Sequence, residues 1–451
     1  MDDTSVASFV YKSNNLKGMS MVFIASASIF LDVWDLTAFG FVLTFFKLEF
    51  APTGLILAFS VAGANIGAIV GAILGGYLTD KFGRRKMMIY NMIIFIAVAF
   101  LIAVSTNIYE FIGFRLVMGF SIGSDVVAGF TYIYEYISRM QRTHFYSLWA
   151  YSFSVIALIA VGSVFFLNSA IHNDSVWRYI FVIGGIFAAI ILIVRTKLTE
   201  TPIWLSERGK NKEAKEVIKK VYGADLETYI DTKPEPVKIT NLIKLFKARL
   251  NKELVFAFSL NGIVGFIGWG FAFYITFMLE ELHLYTFGQI LLADAAIYSF
   301  GFIGAVISPV IARKAGIYRA AVIPSIIASI SIFTLFLVFN KILPEVLVIP
   351  LALLIIFMNY SGPMAYNAVL NSFIPTKLRG AGNGWNYMFN KITEAISGFT
   401  AAVILLDIGL AYNTAILFAI VTIFTIIAVF TGRSKYFKKD QVSDFHDSPP
   451  A

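Results

Sequence analysis

The chain has 451 residues, of which 58% are hydrophobic and 14% are charged, and its net charge is +8. A chain this apolar cannot fold as a water-soluble globule, and it has no basic domain interleaved with aromatic residues of the kind that binds nucleic acid. It contains no cysteine and only four scattered histidines, which excludes disulfides and thiol chemistry and predicts no metal site.

Apolar segments long enough to cross a bilayer recur along the chain and predict an all-α membrane protein with twelve transmembrane helices in two six-helix bundles. The predicted spans are 19–47, 54–79, 87–106, 108–138, 145–168, 177–195, 252–281, 285–312, 317–339, 344–372, 378–405 and 411–432. The expected regions are a tail at 1–18, a bundle at 19–195, a linker with a short amphipathic helix at 196–251, a bundle at 252–432 and a tail at 433–451.

Lys and Arg residues fall mostly on one side of the predicted membrane when both termini are placed in the cytoplasm. The exceptions are Lys47, Arg115, Arg178, Lys341 and Lys391. This asymmetry predicts a multi-pass plasma-membrane protein whose tails and linker are cytoplasmic.

The loop between the second and third predicted helices carries the pattern G-x-L-x-D-x-x-G-R-R. The matching residues are Gly76, Leu78, Asp80, Gly83, Arg84 and Arg85. Topology-setting charge would explain the cations but neither Asp80 nor the two glycines. The pattern resembles the signature loop of the major facilitator superfamily, which implies a secondary transporter that works by alternating access.

The same resemblance implies a cytoplasmic gate that holds the outward-open state. Its expected members are Gly76, Asp80, Gly83, Arg84, Arg85, Glu135, Arg139 and Glu200. For Arg85, a purely topological role remains the alternative.

Two patterns bear on how the halves are built. Lys314, Gly316 and Arg319, between the eighth and ninth helices, repeat the spacing of the first charged loop and predict two related halves. The second helix carries glycines at every fourth residue from 63 to 75, which predicts close approach of a neighbouring helix.

Several charged residues lie within predicted spans, where they are costly unless they face a cavity or a partner. Asp32, Asp125 and Lys391 each lie 13 residues from a cytoplasmic helix end, as does Asn359. At 1.5 Å per residue this is about 20 Å, near the middle of the bilayer. We therefore expect these residues to converge on one layer around a central cavity.

The first helix contains Asp32-Val33-Trp34-Asp35-Leu36, which resembles D-x-[YF]-D-[LI] of phosphate:proton and aromatic-acid:proton symporters. The fourth helix resembles the R-x3-G-x3-G-G-[DE]-x9-E pattern of phosphate and sialate symporters, matched at Arg115, Gly119, Gly123, Ser124, Asp125 and Glu135, with Ser124 in place of a glycine. Arg379 and Lys391 fit their R-x11-[KR] pattern. These likenesses imply a proton symporter of an organic anion.

Other segments depart from those groups. Phe266 and Gly270 stand where phosphate symporters carry Trp and Asp, which argues against inorganic phosphate. The segment 199–205 resembles the P-E-S-P-R-W-L motif of sugar porters, but the Gln-Gln pair and terminal P-E-T motif of that group are missing.

A carboxylate in a low-dielectric cavity holds its proton more tightly, so it can bind one on one side of a membrane and release it on the other. We expect Asp32 or Asp125 to carry the proton, with Asp35 and Arg115 as coupling partners; the alternative is a fixed ion pair with Arg115 or Lys391. Lys391 is the expected anion site, unless it pairs with Glu394 three residues on.

The remaining substrate-binding candidates are amides and aromatics near the same layer. They are Asn359, Asn367, Asn383, Asn386, Tyr274, Trp269 and Trp34. Such side chains could contact substrate, or they could bridge helices.

The sequence thus predicts a monomeric, proton-driven symporter of a small organic anion such as a sugar acid, carboxylate or aromatic acid. The expected partners are that substrate, protons and the bilayer, with no cofactor and no enzymatic activity. A proton-coupled sugar or polyol carrier, a drug efflux antiporter and a non-transporting nutrient sensor are the alternatives.

Overall fold

A computed structural model describes residues 6, 9–10, 16–136, 142–171, 175–224, 251–363 and 379–433. Within these ranges the chain is helical, with no strand, and ten helices are long and apolar enough to cross a membrane. The helices are α1 (Leu16–Phe41), α2 (Leu43–Phe50), α3 (Gly54–Phe82), α4 (Arg84–Val104), α5 (Ile108–Tyr136), α6 (Arg142–Ala170), α7 (Val176–Arg195), α8 (Pro202–Glu207), α9 (Asn211–Tyr222), α10 (Asn251–Ile267), α11 (Ile275–Glu281), α12 (Phe287–Ala315), α13 (Ile317–Phe339), α14 (Val348–Ser361), α15 (Arg379–Asp407) and α16 (Leu410–Thr431).

The predicted all-α fold is confirmed. Two further helices complete the membrane series beyond the ten apolar ones. The first, α14, is short within the described residues, and the second, α15, is long but polar because it carries Lys391, Glu394 and three asparagines. Helix α9 coincides with the amphipathic segment expected in the linker.

Two predicted spans are interrupted. The first does not continue to residue 47, because Val42 leaves helical geometry and α2 begins at Leu43. The seventh contains a widened π-helical turn, Gly268–Ala272, between α10 and α11. Gly270 in this turn allows close approach of α15, because a Cβ there would lie 2.6 Å from the Ser397 hydroxyl.

The glycine-rich face of α3 packs against α5. A Cβ atom at Gly67 would collide with the backbone carbonyl of Leu116, and one at Gly119 would collide with the carbonyl of Ala64. Only glycine allows the two backbones to approach this closely, so the predicted packing role of the stripe is confirmed.

The two halves meet along α3 and α15 and along α6 and α12. At one end of the molecule, rings from α1 and α2 interlock with rings from α12 and the segment before α11. We call Phe39, Phe41, Phe45, Phe273, Phe287 and Tyr298 the aromatic seal. Ring centroids lie 5.8 Å apart for Phe41 and Tyr298 and 5.2 Å apart for Phe45 and Phe287. The halves are therefore closed against each other at this end.

We call the opposite end, which carries residues 80–86 and 195–224, the basic end. Two one-residue turns at this end join α3 to α4 and α12 to α13. Gly83 has φ 103° and ψ 151°, and Gly316 has φ 83° and ψ 153°. Because L-residues rarely adopt these angles, glycine is required in both turns. The sequence repeat thus corresponds to the same backbone turn in each half.

Candidate functional site

A cavity lies between the halves, enclosed by α1, α6, α10, the π-helical turn, α14 and α15. Its wall residues are Asp32, Val33, Leu36, Phe153, Val264, Gly268, Trp269, Ala272, Ile356, Asn359, Tyr360, Asn390, Lys391 and Glu394. The cavity measures about 30 Å³, which is room for two or three water molecules. The halves are contracted around it in this conformation.

Lys391 of α15 is the centre of the cavity's polar wall. Its Nζ lies 2.7 Å from Oδ1 of Asp32 on α1 and 3.0 Å from Oε2 of Glu394 one turn along α15. All three side chains are buried. The ammonium therefore has two carboxylate partners. Its ion pair with Asp32 joins the C-terminal half to the N-terminal half.

A second ion pair joins Asp35 to Arg115 of α5, and both side chains are buried. The guanidinium also lies over the rings of Phe39 and Phe181, with its carbon 4.9 Å and 5.7 Å from their centroids. Its Nε and Nη2 have no hydrogen-bond partner within the described ranges. Asp35 is also close enough to Asp32 for the two carboxylates to repel each other electrostatically.

Lys391 with its two carboxylates and the Asp35–Arg115 pair together form one cluster of five charges. It contains three carboxylates, Asp32, Asp35 and Glu394, and two cations, Arg115 and Lys391. When all five are ionised, one negative charge remains uncompensated in a low-dielectric region. Uptake of a single proton would make the cluster neutral.

Asp125 departs from the predicted layer. Its Oδ1 accepts a hydrogen bond from Nη1 of Arg195 at 2.6 Å, and Arg195 also bonds Ser28 at 2.6 Å and the Met88 carbonyl at 3.2 Å. Asp125 is not a cavity-wall residue. Helix depth gave no information on the direction in which its side chain points.

Among the described residues, Arg195 is the one buried cation that sequence reasoning did not single out. It ends α7 next to the linker, a position that predicts a charge at the cytoplasmic surface. The structure instead buries it completely between α1, α4 and α5. The sequence signal for Arg195 was Asp125 itself, because an ionised aspartate within a membrane span requires a cation as partner.

The other substrate-binding candidates separate into two groups. Trp269 and Asn359 line the cavity; Oδ1 of Asn359 is buried without a hydrogen-bond partner among the described residues, while Nε1 of Trp269 lies beside the Glu394 carboxylate. Asn390 and Tyr360 join them on the wall; their place in the polar stripes of α15 and α14 was the sequence signal.

The second group bridges helices. Tyr274 donates to the carbonyl of Gly398 at 2.8 Å, and Trp34 donates to the carbonyl of Ile180 at 3.3 Å. Asn386 accepts a bond from Asn261 at 2.9 Å. These contacts follow the alternative expectation. Asn367 lies outside the described residues, and the side chain of Asn383 does as well.

Several expected gate residues meet at the basic end. Arg84 lies 2.9 Å from Oδ1 of Asp80 and 2.9 Å from Oε1 of Glu135. Glu135 also accepts a hydrogen bond from the hydroxyl of Thr201. Every member of this network belongs to the N-terminal half or to the start of the linker, so within the described ranges it does not join the two halves.

Glu200 closes the same network from the linker. Its carboxylate accepts hydrogen bonds from the backbone N–H groups of Arg84 at 3.1 Å and Arg85 at 3.2 Å, at the start of α4. Burial raises the pKa of the Glu200 carboxyl above its ordinary value, although the N–H groups of Thr201 and Arg85 and the charge of Arg84 oppose the shift. Gly83 lies directly against this carboxylate.

Gly76, an expected gate member, is not part of this network. Gly76 faces open space, with only a methyl of Val127 3.7 Å from where its Cβ would be. Arg139 lies outside the described residues.

Two bundles of membrane helices closing around a central charged cavity define a membrane transport protein. The sequence profile of the Major Facilitator Superfamily matches residues 25–398, and the chain belongs to that family. The expected family, fold and multi-pass topology are confirmed.

Similar proteins include several proton symporters. The chain is 25% identical over 243 residues to an arabinose-proton symporter of Bacillus subtilis (strain 168), a match covering 51% of this chain and 51% of that protein. It is 33% identical over 203 residues to a citrate-proton symporter of Klebsiella pneumoniae, covering 40% of this chain and 44% of that protein. The chain thus spans about half the length of these curated relatives.

The solved structure of the xylose transporter XylE from E. coli in a partially occluded inward open conformation is similar in fold. The two superpose with a TM-score of 0.75 over 91% of this chain and 96% of that one, at 19% sequence identity.

Proposed function

We propose that the protein is a proton-coupled symporter of a neutral sugar or polyol in the plasma membrane. The strongest support is that the ammonium of Lys391 already contacts two carboxylates of the protein itself, Asp32 and Glu394. A carboxylate or phosphate substrate would enter a cluster with excess negative charge and be repelled. The relatives named for arabinose and xylose support the same substrate class. The expected organic anion is therefore the weaker interpretation.

Two polar groups on the cavity wall suit a hydroxyl substrate. Nε1 of Trp269 is a donor that lies beside the Glu394 carboxylate, and Oδ1 of Asn359 is an acceptor with no partner in the described structure. A hydroxyl group can accept from the first and donate to the second. The indole of Trp269 also provides a flat surface for the C–H face of a sugar ring.

Proton coupling follows from the charge count of the cluster. One proton neutralises its excess charge, and we assign that proton to Asp35, which can exchange it while the Asp32–Lys391 pair keeps the halves together. The basic end faces the cytoplasm by the positive-inside rule, so the aromatic seal closes the external side. Protonation and substrate binding then precede opening of the cavity to the cytoplasm.

The test compares two buried aspartates that each pair with an arginine. Asp35→Asn in proteoliposomes is expected to exchange labelled xylose or arabinose across the membrane but to lose accumulation driven by a pH gradient. Asp125→Asn is the matched control, because Asp125 pairs with Arg195 away from the cavity, and it is expected to retain accumulation per folded protein. Undiminished accumulation by Asp35→Asn would contradict the proposal.

An organic anion is the second candidate, because the citrate-proton symporter is among the relatives. A thermal-shift screen of sugars, polyols, citrate, aromatic acids and phosphate at two pH values separates the two. A ligand at 100 times its Kd stabilises the folded state by about 2.7 kcal/mol. Stabilisation by sugars alone supports the first candidate, and stabilisation by citrate alone supports the second.

A further inference from the structure

Asp294 is a buried carboxylate that the transport proposal does not use. It lies on α12 and is completely buried. Its Oδ2 accepts a hydrogen bond from the hydroxyl of Thr276 at 2.7 Å, while its Oδ1 has no hydrogen-bond partner among the described residues. In that part of the chain, no Lys, Arg or His lies within ion-pair distance of Asp294.

The charged and titratable groups that face Asp294 do not offset its charge. Glu280, one turn beyond Thr276 on the same segment, is an acid of the same sign. Tyr298, one turn along α12, donates its hydroxyl to the carbonyl of Ala272 at 3.4 Å. Lys47 lies over the ring of Phe277 and acts on Glu280, and it is not among the groups that influence Asp294.

An ionised carboxylate in this position would carry a full charge without a cation and with a single hydrogen bond. Burial of an isolated charge is far more costly than burial of a neutral carboxylic acid. We propose that Asp294 holds a proton in this conformation and is a proton-binding site separate from the five-charge cluster. The neutral acid keeps the bond from Thr276 to its carbonyl oxygen.

Asp294 lies on α12 between two rings of the aromatic seal, so access to its proton depends on whether the seal is closed. Asp294 lies seven residues after Phe287 and four before Tyr298 on α12, and both rings pack against α1 or α2 of the other half. Thr276 is adjacent to Phe277, which carries the ammonium of Lys47 3.8 Å from its ring centroid. Separating the halves here would admit water to Asp294, so we infer that its proton exchanges only when the seal opens.

The protonated state is tested by infrared difference spectroscopy of the purified protein. At neutral pH, Asp294→Asn is expected to remove one protonated-carboxyl C=O band. Thr276→Val is expected to shift that band without removing it, which separates the assignment from any misfolding of the Asn variant. Asp407→Asn is the control: its carboxylate is exposed, so only a carboxylate band is expected to disappear. Loss of a carboxylate band in Asp294→Asn would overturn the proposal.

The gated exchange is tested in the same protein, which has no native cysteine. Phe45→Cys/Phe287→Cys, joined by a short bifunctional thiol reagent, locks the seal. The Asp294 band is expected to persist to higher pH in the locked protein than before cross-linking. Equal titration with and without the cross-link would overturn the gating step.

This gating step rests on the proposed transport cycle, whereas the protonated state does not. The infrared band needs no substrate. Failure of the Asp35→Asn transport test would therefore leave the band in place, and absence of the band would leave the transport result in place.

Discussion

The basic end and the aromatic seal are stabilised in opposite ways. At the basic end, Arg84 joins Asp80 and Glu135 inside the N-terminal half, and Glu200 holds the start of α4. At the seal, the contacts are mainly between rings, and they cross from one half to the other.

This difference indicates which contacts must break during transport. A network contained in one half can stay intact while the halves rock, so the basic-end ion pairs are a scaffold in this conformation. Contacts across the halves have to separate for the cavity to open on that side. The seal and the Asp32–Lys391 pair are therefore the moving parts.

The largest expected effect tests the scaffold. Arg195→Met leaves the Asp125 carboxylate buried without its partner, and breaking such a pair costs about 3–5 kcal/mol. Unfolding of the detergent-solubilised protein by heat or denaturant measures it. Lys210→Met is the control, since its pair with Glu213 is exposed and contributes about 0–1 kcal/mol. If Arg195→Met lowers the free energy of unfolding no more than Lys210→Met does, the buried pair does not stabilise this half.

The next effect tests the seal. A Cβ at Gly40 would lie 2.9 Å from the carbonyl oxygen of Phe273, so Gly40→Val overpacks the closed state alone. Overpacking costs about 1–3 kcal/mol, which shifts the equilibrium toward the open seal about 5- to 150-fold. The readout is the rate at which a membrane-impermeant thiol reagent modifies a cysteine placed at Phe41.

Gly76→Val is the matched control for that experiment, because only one methyl lies near its Cβ position at the basic end. It is expected to leave the modification rate unchanged. Equal rates in both variants would mean that the contact between Gly40 and Phe273 does not limit opening.

The smallest effect concerns the pH dependence of Glu200. Its folded-state pKa is raised by burial, so its contribution to stability is present below its unfolded pKa and is lost as pH rises through the folded value. Glu200→Gln resembles the protonated acid. The Tm of the wild type is therefore expected to fall relative to this variant as pH rises above about 4.5. A rise in relative Tm would show that the N–H bonds at α4 outweigh burial.

Sequence reasoning predicted the fold well because the signals were redundant. Span length, charge asymmetry and the repeated turn around Gly83 and Gly316 all pointed to the same two-bundle architecture. The breaks at Val42 and at Gly268–Ala272 were not predicted, because apolar composition continues through both positions. Hydropathy records where a chain is buried and is insensitive to a local change in helical winding.

The site was predicted less completely. The i,i+3 spacing correctly indicated a Lys391–Glu394 contact, and Asp32, which depth assigns to the same layer as Lys391, forms the ion pair given as the alternative. Depth failed for Asp125, because side chains at one level point in different directions around their helices. The partner of Asp125 comes from a residue seventy positions away at a helix end, and no local spacing encodes such a contact.

The turns at Gly83 and Gly316 have the same backbone conformation but carry different side chains. The second turn places Arg313 and Ile317 where the first has Asp80 and Arg84, yet the chain reverses in the same way. Grafting residues 313–319 onto 80–86 would therefore preserve the connection between two helices while replacing Asp80 with an arginine and Arg84 with an isoleucine. Such a chimera would allow the helix connection and the ion-pair network of the loop to be altered independently of each other.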